Sequence, residues 1–123
     1  QLTFSQEIKM DGAIIVSTPQ EVALLDVKRG IKMFDKLDVK ILGLVDNMSF
    51  FIADDGKKYH LFGEGGVRKT AEEFKKEFLG EIPINPAVGK SGDNGKPIVE
   101  ENPNNEISKI FINLANKIKL TYL

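Results

Sequence analysis

Apolar positions along this chain fall into two alternating patterns. Ala13-Ile14-Ile15-Val16-Ser17 is an unbroken, β-branched run, which predicts a strand buried on both faces of a parallel sheet. Directly behind it, Thr18-Pro19-Gln20-Glu21 offers a capping hydroxyl, a proline suited to the first helical position and a glutamate at the third, the elements of a capping box. Ala23, Leu24, Val27, Ile31 and Phe34 then recur at helical spacing and predict an amphipathic helix of about four turns. Val39 to Val45 predicts a second buried strand, and Asp46-Asn47-Met48-Ser49 places polar groups where it leaves the sheet. In open α/β folds ligands favour that edge.

Further along, Phe50-Phe51-Ile52-Ala53 and Tyr59-His60-Leu61-Phe62 flank Asp54-Asp55-Gly56-Lys57-Lys58, whose Asp-Gly pair suits a tight turn, so a small hairpin is predicted over about 50–62. A charged surface helix is predicted from Val67 to Lys76, and a third short strand over Phe78-Leu79-Gly80-Glu81-Ile82, closed by Pro83. Asn85 to Pro97 is rich in Gly, Asn, Asp and Pro and predicts a loop with at most one helical turn. Ile107, Ile110, Phe111, Leu114, Ala115 and Ile118 share one face of a final helix, for which Asn102-Pro103 offers a cap and a first-turn proline. The β-α-β-hairpin-α-β-α order indicates an α/β fold with a parallel sheet. Three sheet strands are few for such a fold, which implies a partial doubly wound sheet with a hairpin insertion.

Composition narrows the function classes. The 123 residues are 41% hydrophobic and 28% charged, the range of an ordinary globular domain. Seventeen Lys and Arg against eighteen Asp and Glu give a net charge of −1, with no basic patch for a nucleic-acid backbone or an anionic membrane surface. No uncharged stretch approaches the ~20 residues of a membrane span. The chain has no cysteine, which removes disulfides, thiolate metal sites and cysteine nucleophiles and makes a reducing, cytoplasmic setting the expectation. Gln1-Leu2-Thr3-Phe4-Ser5-Gln6 lacks the basic start and apolar middle of a signal peptide and reads as a continuation of a longer protein.

Several local patterns invite a chemical reading. Gly63-Glu64-Gly65-Gly66-Val67-Arg68-Lys69-Thr70 ends in Lys-Thr at a helix start, but Arg68 stands where a phosphate-binding loop needs glycine, and the segment follows a hairpin strand; a plain helix start is the better account. His60, the single histidine, has no nucleophile or orienting partner near it in sequence, so a surface or hairpin-packing role is favoured over a catalytic base. Asp54 and Asp55 are explained by turn chemistry, since a divalent cation needs several more oxygen ligands. Asn47 could offer a donor and an acceptor to a heterocycle edge, or could simply end a strand. Ile82-Pro83-Ile84-Asn85-Pro86 is open between a turn and a binding segment.

Five segments together resemble the carboxyl-terminal half of the Mrp/ApbC family, MinD-related P-loop ATPases that carry iron-sulfur clusters. They are Asp11-Gly12-Ala13-Ile14-Ile15-Val16-Ser17-Thr18-Pro19-Gln20-Glu21-Val22-Ala23-Leu24, Gly43-Leu44-Val45-Asp46-Asn47-Met48-Ser49-Phe50-Phe51, Phe62-Gly63-Glu64-Gly65-Gly66, Phe78-Leu79-Gly80-Glu81-Ile82-Pro83-Ile84-Asn85-Pro86 and Gly95-Lys96-Pro97-Ile98-Val99. They occur in the family's order over nearly the whole chain. The resemblance implies a doubly wound nucleotide-binding fold that works as a homodimer, with ATP and Mg²⁺ at the subunit interface and apo iron-sulfur proteins as targets. It implies that Asn47 meets the adenine base, that Pro83, Ile84 and Asn85 belong to the segment closing over that base, and that Thr18 lies at a strand end on the nucleotide side.

Two departures qualify it. The family's Walker A lysines, Mg²⁺-binding hydroxyl and acidic strand-end residues have no counterpart in these residues, and phosphoryl transfer depends on them, so the chain alone is expected to hold no catalytic residue and not to hydrolyse ATP. By this alignment residues 1–123 are the carboxyl-terminal part of one nucleotide-binding domain, and Gln1-Leu2-Thr3-Phe4 matches the helix after the missing portion. Many family members also carry a Cys-x-x-Cys pair where this chain reads Ala53-Asp54-Asp55-Gly56, and carboxylates are poor ligands for a bridging cluster. Any cluster in the parent protein is therefore expected to use other ligands. The leading expectation is an ATP-binding iron-sulfur cluster carrier; the rivals are a MinD-like ATPase switch without a cluster and a stand-alone interaction module.

Overall fold

The computed structural model describes residues 10–122. The expected match of Gln1 to Phe4 to a helix lies outside them. In chain order the elements are β1 (Ala13–Ser17), α1 (Glu21–Lys36), β2 (Ile41–Asn47), β3 (Phe51–Ile52), β4 (Lys58–Tyr59), α2 (Gly66–Glu73), β5 (Phe78–Ile82), α3 (Pro86–Asp93), α4 (Ile98–Glu101) and α5 (Glu106–Tyr122). β1, β2 and β5 form a three-stranded parallel sheet in the order β1-β2-β5, and β3 and β4 form a separate antiparallel hairpin. This is the α/β architecture that the sequence indicates.

The sheet packs between helices. On one face Val27, Ile31 and Phe34 of α1 and Val67 and Ala71 of α2 close over Ile41 and Leu44 of β2. On the other, Ile110, Phe111, Leu114 and Ile118 of α5 lie against Val45, Leu79 and Ile82. Burying each such side chain contributes roughly 1.5–3 kcal/mol. Tyr122 at the end of α5 donates its hydroxyl to the Leu42 carbonyl at 2.8 Å, fastening the helix across the sheet.

Several local expectations are corrected. β1 is not buried on both faces: Ile15 packs into the α1 side, but Ile14 is 39% and Val16 57% exposed, because α5 covers β2 and β5 and stops short of β1. The capping box does not form; Gln20 is the N-cap of α1 without a side-chain bond, and Thr18 Oγ1 turns to Gln20 Oε1 at 3.2 Å. The segment expected to be a loop contains the two-turn helix α3, because Asn85 Oδ1 accepts from Ala87 N at 2.9 Å and Pro86 occupies the first turn. The cap of α5 is supplied by Asn105, whose Oδ1 accepts from Ile107 N at 2.8 Å, rather than by Asn102-Pro103, and Ala115 is exposed. The hairpin is shorter than expected, with its turn closed by Lys57 N donating to Asp55 Oδ1 at 2.9 Å.

Candidate functional site

Parallel pairing brings three polar strand ends to one edge of the sheet. Ser17 pairs in register with Asp46, and Asn47 with Ile82, so that Ser17-Thr18, Asp46-Asn47 and Ile82-Pro83-Ile84-Asn85 leave the sheet side by side. Thr18, Asn47, Pro83, Ile84 and Asn85 are each half-buried. Asn85 has its side-chain oxygen engaged as the cap of α3, which leaves its amide nitrogen for another partner. Ile84 N donates to the Phe50 carbonyl at 2.7 Å and Ser49 N to the Ile82 carbonyl at 3.0 Å, lacing the loop after β2 to the end of β5.

A cleft of about 470 Å³ runs beside β1 and α1, lined by Ile14, Val16, Ser17, Thr18, Asp26 and Gly30 among others. It includes Thr18 but not Asn47, so the sequence-derived residues share an edge of the sheet without sharing this cleft. The glycine-rich segment before α2 folds back on the same edge. A Cβ on Gly63, whose φ is 123°, would stand 2.8 Å from the Pro19 carbonyl oxygen, so only glycine permits the approach. Gly65 caps α2 in the left-handed region, and Thr70 donates its hydroxyl to Gly66 O at 2.9 Å: a helix start, as the spacing indicates.

The structure also gathers residues that sequence reasoning did not connect. Asp46, only 2% exposed, lies beneath a cavity of about 200 Å³ lined by Lys58, His60, Glu64, Arg68 and Glu81. The Ser49 hydroxyl stands 2.6 Å from Glu81 Oε2 and 3.2 Å from Asp46 Oδ2. Asp46 Oδ1 is buried with no hydrogen-bond partner. Burial pushes the Asp46 carboxyl up to about 6; the Glu81 carboxylate adds to the rise, while the Ser49 hydroxyl, His60 and Arg68 oppose it. His60 lines the same cavity, its Nδ1 3.3 Å from the Ser49 carbonyl and Nε2 3.4 Å from Glu64, with its ring edge-on to Phe50. The available signal was a carboxylate interrupting each of two apolar strands, ILGLVDN and FLGEI. Among the described residues no group of three or more His, Cys, Asp or Glu is arranged to hold a metal ion, and no helix is long and apolar enough to cross a membrane.

Comparison with known proteins agrees with this architecture. The iron-sulfur cluster carrier protein of Aquifex aeolicus is 41% identical over 116 residues, covering 94% of this chain but 32% of its own length. Thus the chain spans about a third of the curated relatives it matches. Among solved structures, a nucleotide-binding protein from Archaeoglobus fulgidus in complex with ADP superposes with a TM-score of 0.67 at 40% identity, over 77% of this chain and 40% of that one. The cell division ATPase MinD of Pyrococcus furiosus shares the fold, with a TM-score of 0.70 at 24% identity over 89% of this chain and 43% of its own. A family model described as ParA, NUBPL iron-transfer P-loop NTPase, spans residues 1–119. With that match over almost every residue, the strand order and the strand-end motifs, the chain belongs to the NUBPL-type iron-transfer P-loop NTPases.

Proposed function

We propose that this chain supplies the base-binding portion of an ATP-dependent iron-sulfur cluster carrier of the Mrp type. The observation that carries the reading is the alignment of three polar strand ends at the carboxyl edge of a parallel sheet, where α/β folds bind ligands. Asn47 offers a donor and an acceptor to the adenine edge. Pro83 and Ile84 give the base plane an apolar surface, the Asn85 amide nitrogen remains free of the cap, and Thr18 borders the cleft on the neighbouring strand. ATP bound with Mg²⁺ supplies the phosphoanhydride whose cleavage drives such a cycle. These residues bind and orient the base; phosphate handling belongs to the further length that the relatives possess.

That further length also accounts for β1. Among the described residues its outer edge has no partner strand and Ile14 and Val16 face water, so additional strand and helix from the same protein would complete the sheet there. The cluster is cargo, and the hairpin does not fit it: Asp54 and Asp55 are exposed turn residues, and soft thiolate ligands are absent. Ligation therefore falls to other residues of the parent dimer, and apo iron-sulfur proteins are its targets. The cysteine-free hairpin also favours a second reading, an ATPase switch that carries no cluster.

Asn47→Ala in the protein expressed from the complete reading frame is expected to weaken ADP binding by about 1–3 kcal/mol, measured calorimetrically; unchanged affinity would remove Asn47 from the site. Anaerobic reconstitution of the same protein, read by iron content and visible absorbance, separates the two readings, since a switch would bind no iron.

A further inference from the structure

Asp46 and Glu81 stand on neighbouring strands and share one hydroxyl. Ser49 Oγ is 2.6 Å from Glu81 Oε2 and 3.2 Å from Asp46 Oδ2, yet a serine has a single hydrogen to donate. If both carboxyls were ionised, one of these contacts would set lone pair against lone pair. The shorter contact has the length of a charge-assisted bond, so Ser49 donates to Glu81. The longer one is then a hydrogen bond only when Asp46 Oδ2 carries a proton and donates it to Ser49 Oγ. An ionised Asp46 would be 98% buried with no donor to either oxygen, since Oδ1 is already without a partner.

The charged groups around Asp46 do not remove this requirement. The guanidinium carbon of Arg68 of α2 lies over the Phe78 ring, 4.3 Å from its centroid, and Lys58 Nζ of β4 over Phe50 at 4.0 Å, so both cations rest on ring faces. His60, after β4, is directed to the Ser49 carbonyl and to Glu64, and the β1 residue paired with Asp46 is the uncharged Ser17. The loop between the two carboxyl-bearing strands is meanwhile held in a disfavoured shape. Met48, next to Asn47, has a left-handed backbone with φ 54°, and what opposes its relaxation is the pair of bonds from Ser49 N to the Ile82 carbonyl at the end of β5 and from Ile84 N, just beyond it, to the Phe50 carbonyl.

We infer that Asp46, Ser49 and Glu81 form a proton-sharing clamp that fixes the Asn47 loop against the end of β5, so that losing the shared proton loosens the loop and weakens nucleotide binding. Asp46, Ser49 and Glu81 are thus positioning residues, and their effect on affinity rests on the nucleotide reading above. The raised titration of Asp46 accords with the geometry. Asp46→Asn mimics the protonated state, because its amide donates permanently to Ser49 Oγ. Glu81→Gln does the converse: its amide donates to Ser49 Oγ, and the hydroxyl hydrogen becomes available to an ionised Asp46.

The test uses the protein from the complete reading frame, with carboxyl carbon-13 NMR titration and ADP calorimetry between about pH 5 and pH 8. Asp46 is expected to titrate above the ordinary carboxylate range, and to move down in Glu81→Gln. Over that range ADP affinity is expected to fall about five- to tenfold further in the unsubstituted protein than in Asp46→Asn. Titration of the nucleotide's own phosphate is common to both proteins and cancels in the comparison. Ordinary titration of Asp46, no change in Glu81→Gln, or an equal affinity slope in Asp46→Asn overturns the clamp. Absence of ADP binding at every pH overturns the nucleotide reading instead, and the carboxyl titration then decides alone whether the proton is shared.

Discussion

On one side of the sheet, Leu44 of β2, Ile31 of α1 and Val67 and Ala71 of α2 are fully removed from water; on the other, α5 covers Val45, Leu79 and Ile82 and leaves Ile14 and Val16 of β1 exposed. What differs is the reach of the covering helix, since α5 lies one strand away from β1. β1 is thus covered on one side only, and among the described residues no strand pairs with its outer edge. Stability of the chain is accordingly concentrated on the α1–α2 face.

The largest effect expected is on that face. Leu44→Ala should cost about 3–5 kcal/mol in denaturant unfolding, because the site is enclosed and cannot collapse around the lost atoms. Next comes the pH dependence from Asp46. Its carboxyl titrates at about 6 in the fold against 3.8 ordinarily, so the folded state holds a proton that the unfolded chain has released across that interval. Stability contributed by this group is complete below about pH 4 and is lost as pH rises through about 6, by on the order of 3 kcal/mol. Asp46→Asn should abolish that decline; a variant whose unfolding free energy still falls by the same amount would place its origin in another group.

Leu114→Ala on the α5 face should cost less, about 2 kcal/mol, since the side chain is already half-exposed. Equal costs for Leu44→Ala and Leu114→Ala would break the contrast between the faces. Smallest of all, Val16→Thr should change the stability of this chain by under about 0.5 kcal/mol, yet by clearly more in the complete protein if β1 is covered there. The same small change in both contexts would show that nothing packs on that side of β1.

Much of the fold was legible in the sequence because its elements rest on local periodicity. The stripe Val27, Ile31, Phe34 and the run through Leu44 and Val45 admit one reading each, and the helix with Ile110, Phe111 and Leu114 likewise. Legibility failed where two local rules compete. Thr18 had the spacing of a capping box, but its hydroxyl found Gln20 first, and α3 was hidden among Gly and Asn residues whose weak helix propensity is offset by the Asn85 cap and Pro86. Of the site, the polar ends of single strands could be read one at a time. Asn47 has a functional meaning at its own position, whereas Glu81 acquires one only beside Ser49.

Sequence alone determined the order of the sheet strands, the hairpin and the helices α1, α2 and α5, the stripes that bury them, and the lack of thiolate ligands in the hairpin, since each follows from neighbouring residues or from composition. Tertiary structure alone decided which face of β1 stays open and which carboxyls meet. Glu81 lies 32 residues from Ser49 in the chain and 2.6 Å from it in space. Parallel pairing returns each strand to the same edge only after a long crossover, so which side chains meet there is set by register rather than by local sequence.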